Sequence, residues 1–170
     1  MKKIFSIAVL MVLFLGMNTT IAAQDKFGHI NTNELLQMMP GREEASQELE
    51  KFAQELETQF TTMQREFQTK YQDYLENQEN FSQLIRQSRE RELSSLQERI
   101  TEFQESAQDE LMQEENRLLQ PIVDMARNAI EEVAKENGYT YVFDTSVGVL
   151  LYSDPGDDIM PLVKAKIGIE

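Results

Sequence analysis

Between residues 42 and 137 the chain has no glycine, and its one proline there is Pro121. The window spans 96 residues rich in Glu, Gln, Leu, Arg and Ala, all good helix formers with few alternatives to helix. One unbroken helix of that length would run roughly 144 Å. A soluble rod that long has nothing to pack on, so the sequence predicts a helix that folds back on itself.

The apolar positions carry the fold-back. In the first half they fall at Ala45, Leu49, Phe52, Leu56, Phe60, Met63, Phe67, Tyr71 and Tyr74. This is an eleven-residue repeat that keeps one stripe nearly straight along a helix. In the second half they fall at Leu93, Leu96, Ile100, Phe103, Ala107 and Leu111, mostly at alternating steps of three and four. The stripes mirror each other, with residue i matching a residue near 160 − i: Leu56 with Phe103, Phe60 with Ile100, Met63 with Leu96, Tyr74 with Ile85. An antiparallel hairpin produces that symmetry. Asn77-Gln78-Glu79-Asn80 supplies a polar turn, with Asn tolerant of left-handed backbone, and Ser82 is placed to cap the returning helix. Pro40-Gly41 and Pro121 stand at mirrored positions and mark the hairpin's base. Two arms of about 36 residues would project roughly 54 Å. The returning helix continues past Pro121 through Ile122, Met125, Ala126, Ala129, Ile130 and Val133, and Asn137-Gly138 ends it.

Both flanks read as β. Lys26 to Asn31 predicts a short strand, followed by a helical turn from Asn33 to Met39. Tyr139 to Asp144 and Val149 to Tyr152 predict two more strands around a turn at Thr145–Gly148. Asp157 or Asp158 is expected to cap a last helix with Pro161 in its first turn. The expected fold is α+β: a long antiparallel hairpin, residues 42–120 with its tip near 77–82, projecting from a small β body made of residues 24–41 and 121–170. Such a body is marginal alone and leaves sheet edges unpaired. Homo-oligomerisation through it is therefore a physical expectation, involving Phe27, Ile30, Tyr141, Val142, Phe143, Leu150 and Tyr152.

Residues 1–23 read as a secretory signal peptide. Lys2 and Lys3 precede an uncharged apolar run from Ile4 to Met17, and small residues end at Ala23. Cleavage between Ala23 and Gln24 would leave an exported chain with no stable membrane insertion, because the run is shorter than the ~20 residues that span a bilayer. The whole chain carries 30 acids and 16 bases, a net charge of −14; losing two lysines makes the mature charge −16. Such acidity argues against nucleic acid as a partner. There is no Cys and one His, which removes disulfides, thiolate chemistry and paired-histidine zinc sites. His29 reads as a packed or edge-strand residue. No catalytic set, metal site or cofactor motif is present in the sequence, and an enzyme is the least expected class.

The combination resembles the Skp/OmpH family of periplasmic chaperones. The residues carrying the resemblance are Phe27-Gly28-His29-Ile30-Asn31 with Leu35-Leu36 and Met39-Pro40; Asn137 through Asp144; and Leu150-Leu151-Tyr152 with Asp157-Asp158-Ile159 and Val163-Lys164. It covers the whole mature chain. What the resemblance implies is a periplasmic trimer joined through a β barrel, with three hairpins around a cavity. Such a protein would hold unfolded outer-membrane proteins against aggregation, without ATP and without catalytic residues. Well-known members are strongly basic, so the acidity here reverses a family trait. Candidate client-binding residues on the arms and tip are Phe67, Tyr74, Phe81 and Leu84, although Ile85 facing Tyr74 could simply close the hairpin and most arm aromatics could simply form its seam. The rival reading is a structural coiled-coil scaffold or spacer of a cell-envelope complex.

Overall fold

The computed structural model describes residues 25–169. The expected signal peptide and the Ala23–Gln24 junction lie outside the described residues. Strand β1 (Phe27–Ile30) lies parallel to β2 (Tyr141–Asp144), with Phe27 opposite Tyr141 and Ile30 opposite Asp144. Parallel strands need a crossover, and here the crossover is the whole hairpin. On the other side of β1, His29 bridges Asp158, and the Ile159 amide donates to the His29 carbonyl at 3.0 Å. β1 is thus flanked on both edges.

Helix α1 (Thr32–Met38) starts at Asn31, whose side chain accepts from the Glu34 amide at 3.1 Å. Pro40 and Gly41 then turn the chain, and Gly41 takes φ 81°, a left-handed backbone that favours glycine. The outgoing arm is α2 (Arg42–Asn77), and the returning helix is α3 (Gln83–Glu136). At 54 residues, α3 is roughly 80 Å long and runs through an exposed Pro121 without a break in its assignment. It ends in a Schellman motif, with the Tyr139 amide on the Ala134 carbonyl (2.9 Å) and the Gly138 amide on the Lys135 carbonyl (3.3 Å). Lys26 fastens this end to β1: its ammonium donates to the Asn137 carbonyl at 3.0 Å and lies 4.1 Å from the Tyr139 ring centre.

The buried core sits where the hairpin's base meets the body. Ile30, Leu35, Met39 and Ala45 pack with Ile122, Ala126, Ala129 and Val133 of α3, and with Ile159, Met160 and Val163. Helix α4 (Met160–Ile167) closes it, and Lys166 ties α4 to α3 through Glu132 (2.9 Å) and Glu136 (2.6 Å). Met125, placed on the apolar stripe by sequence, is exposed.

Four expectations are corrected. Val149–Tyr152 is not a strand: among the described residues it pairs with no edge, and an apolar run holds strand geometry only against a partner, so Leu151 is 99% and Tyr152 80% exposed. Leu150 is partly buried. Neither Asp157 nor Asp158 is the N-cap of α4; that position is Ile159, and Asp158 instead accepts from the Met160 amide at 2.9 Å. The hairpin tip uses no left-handed asparagine, since every residue with positive φ among those described is a glycine. Its turn is built by the Asn80 amide on the Asn77 carbonyl (2.9 Å). Finally, Ile30, expected to help join copies of the chain, is 1% exposed and packs in the chain's own core.

Gly28 meets the core most closely. A Cβ there would stand 3.0 Å from Ile159 Cγ2 and 3.0 Å from the Tyr139 ring. Gly28→Ala is expected to lower stability by about 1–3 kcal/mol through overpacking. Gly41→Ala, which meets only backbone strain in open space, is expected to cost about 1 kcal/mol. Urea unfolding midpoints check both, and the order of the two losses tests the packing argument.

Candidate functional site

Three surfaces offer apolar groups to a partner. The first is the sheet. Period-2 alternation puts Gly28, Ile30 and Val142 toward the core and Phe27, Tyr141 and Phe143 on the opposite face. Phe27 stacks on Tyr141 with centroids 5.9 Å apart, Tyr141 stacks on Phe143 at 6.4 Å, and Phe27 tilts against Phe143 at 6.2 Å. All three are exposed, as are Val147, Val149, Leu151 and Tyr152 in the segment that follows. Val142 is half-buried. A contiguous apolar patch of this kind marks an interaction surface. Val147 sits in a turn, where no apolar pattern singles it out. The exposure of Val149 and Leu151 was hidden by their strand-like pattern.

The loop behind this patch is pinned by Asp144. Its carboxylate accepts from the Thr32 amide (3.2 Å), the Thr32 hydroxyl (2.6 Å) and the Ser146 amide (2.9 Å), joining the start of α1 to the end of β2. Burial alone would raise its pKa, but the bonds from Thr32 and Ser146 together outweigh it and hold the carboxyl below the usual aspartate range.

The second surface is the distal hairpin. Phe67 stacks on Tyr71 (5.9 Å, 5° between planes), and Tyr74 tilts against Phe81 at 6.3 Å. Phe67, Tyr74 and Phe81 are half-buried in this way, whereas Leu84 is 76% exposed. Phe81 is the ring that meets Tyr74, and Ile85 is 48% exposed. Polar ties cross the arms here. Tyr74 donates to Glu90 at 2.7 Å, which raises the phenol's pKa, and Arg86 donates to the Gln78 carbonyl at 2.9 Å. Lys70 from α2 and Arg89 from α3 both hold Glu92, and their bonds lower its pKa. Just below, Leu96 and Ile100 are the buried heart of the seam.

The third surface was not anticipated. In the half of the arms nearer the body, the seam opens into a groove of about 290 Å³ lined by Ala53, Leu56, Phe60, Phe103, Ala107 and Leu111. Two alanines, Ala53 and Ala107, contribute to it from opposite arms, and small side chains leave the seam underfilled. Their mirrored positions were the available signal.

His29 is half-buried, and its Nε2 donates to the Asp154 carbonyl at 3.0 Å. Among the described residues no group of three or more His, Asp or Glu side chains is placed to hold a metal ion. No helix among them is long and apolar enough to cross a membrane.

An arm of two helices, growing from a body that the segments on both sides of it build together, defines a hairpin-on-body protein with exposed apolar surfaces spread over its length. The chain belongs to the OmpH-like family: the family described as "Outer membrane protein (OmpH-like)" matches residues 26–167. The crystal structure of a protein from Caulobacter crescentus CB15, assigned as an OmpH-like outer membrane chaperone, aligns with a TM-score of 0.72. The alignment covers 84% of this chain and 83% of that one at 12% identity, a likeness of fold. No curated protein sequence matches the chain.

Leu96→Ala is expected to cost about 2–4 kcal/mol through the cavity it leaves, while Leu84→Ser changes stability by about 0.5 kcal/mol or less, both read from urea midpoints. A carboxyl with a depressed folded-state pKa contributes stability that is present above its unfolded pKa and lost as pH falls through the folded one. Asp144→Asn should therefore lower the midpoint at pH 7. It should also flatten the decline of stability on the acid side, below the ordinary carboxylate range.

Proposed function

We propose that this protein is an ATP-independent holdase of the periplasm, which keeps unfolded outer-membrane β-barrel proteins from aggregating. The observation that carries this reading is an arm of apolar-striped helices held clear of the body, in a chain of the OmpH-like family. Many half-exposed apolar groups along the arm, including Phe67, Tyr74 and Leu84, give many weak contacts. Summed, they retain a client; singly, none prevents its release. The chaperone assignment of the structural neighbour agrees with this reading.

The working form in this proposal is a trimer. The exposed aromatic face of Phe27, Tyr141 and Phe143 and the unpaired outer edge of β2 support assembly through the body. The apolar segment Val149–Tyr152 is suited to adding a strand to a neighbouring copy's edge. Three bodies joined this way would set three hairpins around a common space, with clients shielded from one another between them.

The decisive experiment dilutes an outer-membrane protein from urea with and without this protein and follows light scattering, while sedimentation gives the protein's mass. Suppressed scattering for several unrelated β-barrel proteins is the expected result. A monomer that leaves scattering unchanged would overturn the reading, and binding of one partner at fixed stoichiometry without suppression would favour the scaffold alternative. Phe143→Asp is expected to shift the sedimenting species to monomers while the far-ultraviolet helical signal persists.

A further inference from the structure

The charge of the arms is not evenly spread. The half nearer the body, residues 42–60 and 101–120, carries twelve acids against three bases, a balance of −9. The distal half, residues 61–100, carries seven acids against six bases, a balance of −1. The apolar groove between Ala53 and Ala107 lies in the acidic half. Glu57 lines it directly. Glu50, three residues before Ala53, and Glu115, four after Leu111, share helix faces with the lining residues. All three are exposed, and among the described residues no cation stands within ion-pair distance of any of them. The cross-arm ion pair of this half, Arg117 with Glu48 at 2.9 Å, involves other acids.

Resting on the holdase reading, we infer that this groove receives an apolar segment of an unfolded client flanked by lysine or arginine, so that the protein selects basic stretches of the chains it holds. The groove supplies the apolar seat, on the scale of a bulky side chain and its neighbour. The surrounding carboxylates supply a field that attracts cations and repels anions. That field disfavours the other occupants. A second copy brings the same negative arms, and an anionic lipid surface is repelled. An extended segment presents every second side chain to one face, so alternate apolar residues can enter the groove between the arms while Lys or Arg lie along the acidic flanks.

The test uses the purified protein and two fluorescent peptides with the same alternating Leu and Phe, one flanked by Lys and one by Glu, in anisotropy titrations. At low ionic strength the Lys-flanked peptide is expected to bind about tenfold tighter, and the difference should shrink at high ionic strength. Ala107→Leu fills the groove and should weaken the Lys-flanked peptide about fivefold or more, as a loss of apolar seating. Ala53→Leu, filling it from the other arm, should do the same, and thermal unfolding shows that both variants fold. Glu50→Gln, Glu57→Gln and Glu115→Gln together should abolish the preference. Equal binding of the two peptides, or groove-filling variants that bind unchanged, would overturn the inference. If that occurs while aggregation is still suppressed, the groove is refuted and the holdase reading stands. Charge-selective, groove-dependent binding without suppression has the opposite meaning.

Discussion

The body of this protein exists only because the hairpin returns the chain to its starting point. Lys26 and Thr140, 114 residues apart, are joined by backbone and side-chain hydrogen bonds, and β1 cannot pair with β2 until residues between them have folded back. For a flexible loop of that length, closure costs roughly 4 kcal/mol beyond a constant. A rigid hairpin changes that cost. Once α2 and α3 pack along their seam, the start of α2 already lies beside Leu119–Val123 of α3, and the core of Ile30, Leu35, Ile122 and Val163 closes over a preformed junction. The seam and the body are therefore coupled: packing near Leu96 and Ile100 secures the arms, and the arms bring the strands together.

This dependence explains which parts of the fold were legible in sequence. The missing glycines and the mirrored stripe are properties of the chain itself, and the long helices with a turn over residues 78–82 answer to them. The small sheet was legible as aromatic and β-branched runs, as at Tyr141–Asp144. Val149–Tyr152 has the same composition and no strand, because strand geometry depends on an edge elsewhere, and local pattern holds no record of whether that edge is in the same chain. The cap of α4 failed for a smaller reason of the same kind. Asp158 bridges His29 and stands one residue before the N-cap, Ile159, from where its side chain still accepts from the Met160 amide.

The binding surfaces divide along the same line. Phe81 and Leu84 could be singled out as apolar groups at a polar turn, but only packing separates them, since Phe81 rests on Tyr74 and Leu84 on nothing comparable. The groove was not legible because the periodic stripe runs through Phe52 and Leu56 and passes over Ala53, and it treats Ala107 as an ordinary apolar position. Periodicity records where side chains point. Whether the space between helices is filled depends on the volumes that meet there, which only the register across the seam reveals.

The charge asymmetry then has a physical place in the design. Near the tip, bases balance acids: Lys70 and Arg86 tie the two arms to each other, and Arg89 holds Glu92, the partner of Lys70, from the same helix. Those cations are committed to the hairpin's own cohesion. Near the body, cohesion comes from the buried core at the hairpin's foot, so cross-arm ion pairs are less needed there. The acids that remain are left facing solvent beside an underfilled seam. Exposed ion pairs contribute little stability, so a chain that places carboxylates there without partners gives up little of its own stability. It retains their field for whatever enters the groove, and the sign of that field, opposite to the basic arms that the resemblance leads one to expect, is what makes basic clients the natural occupants.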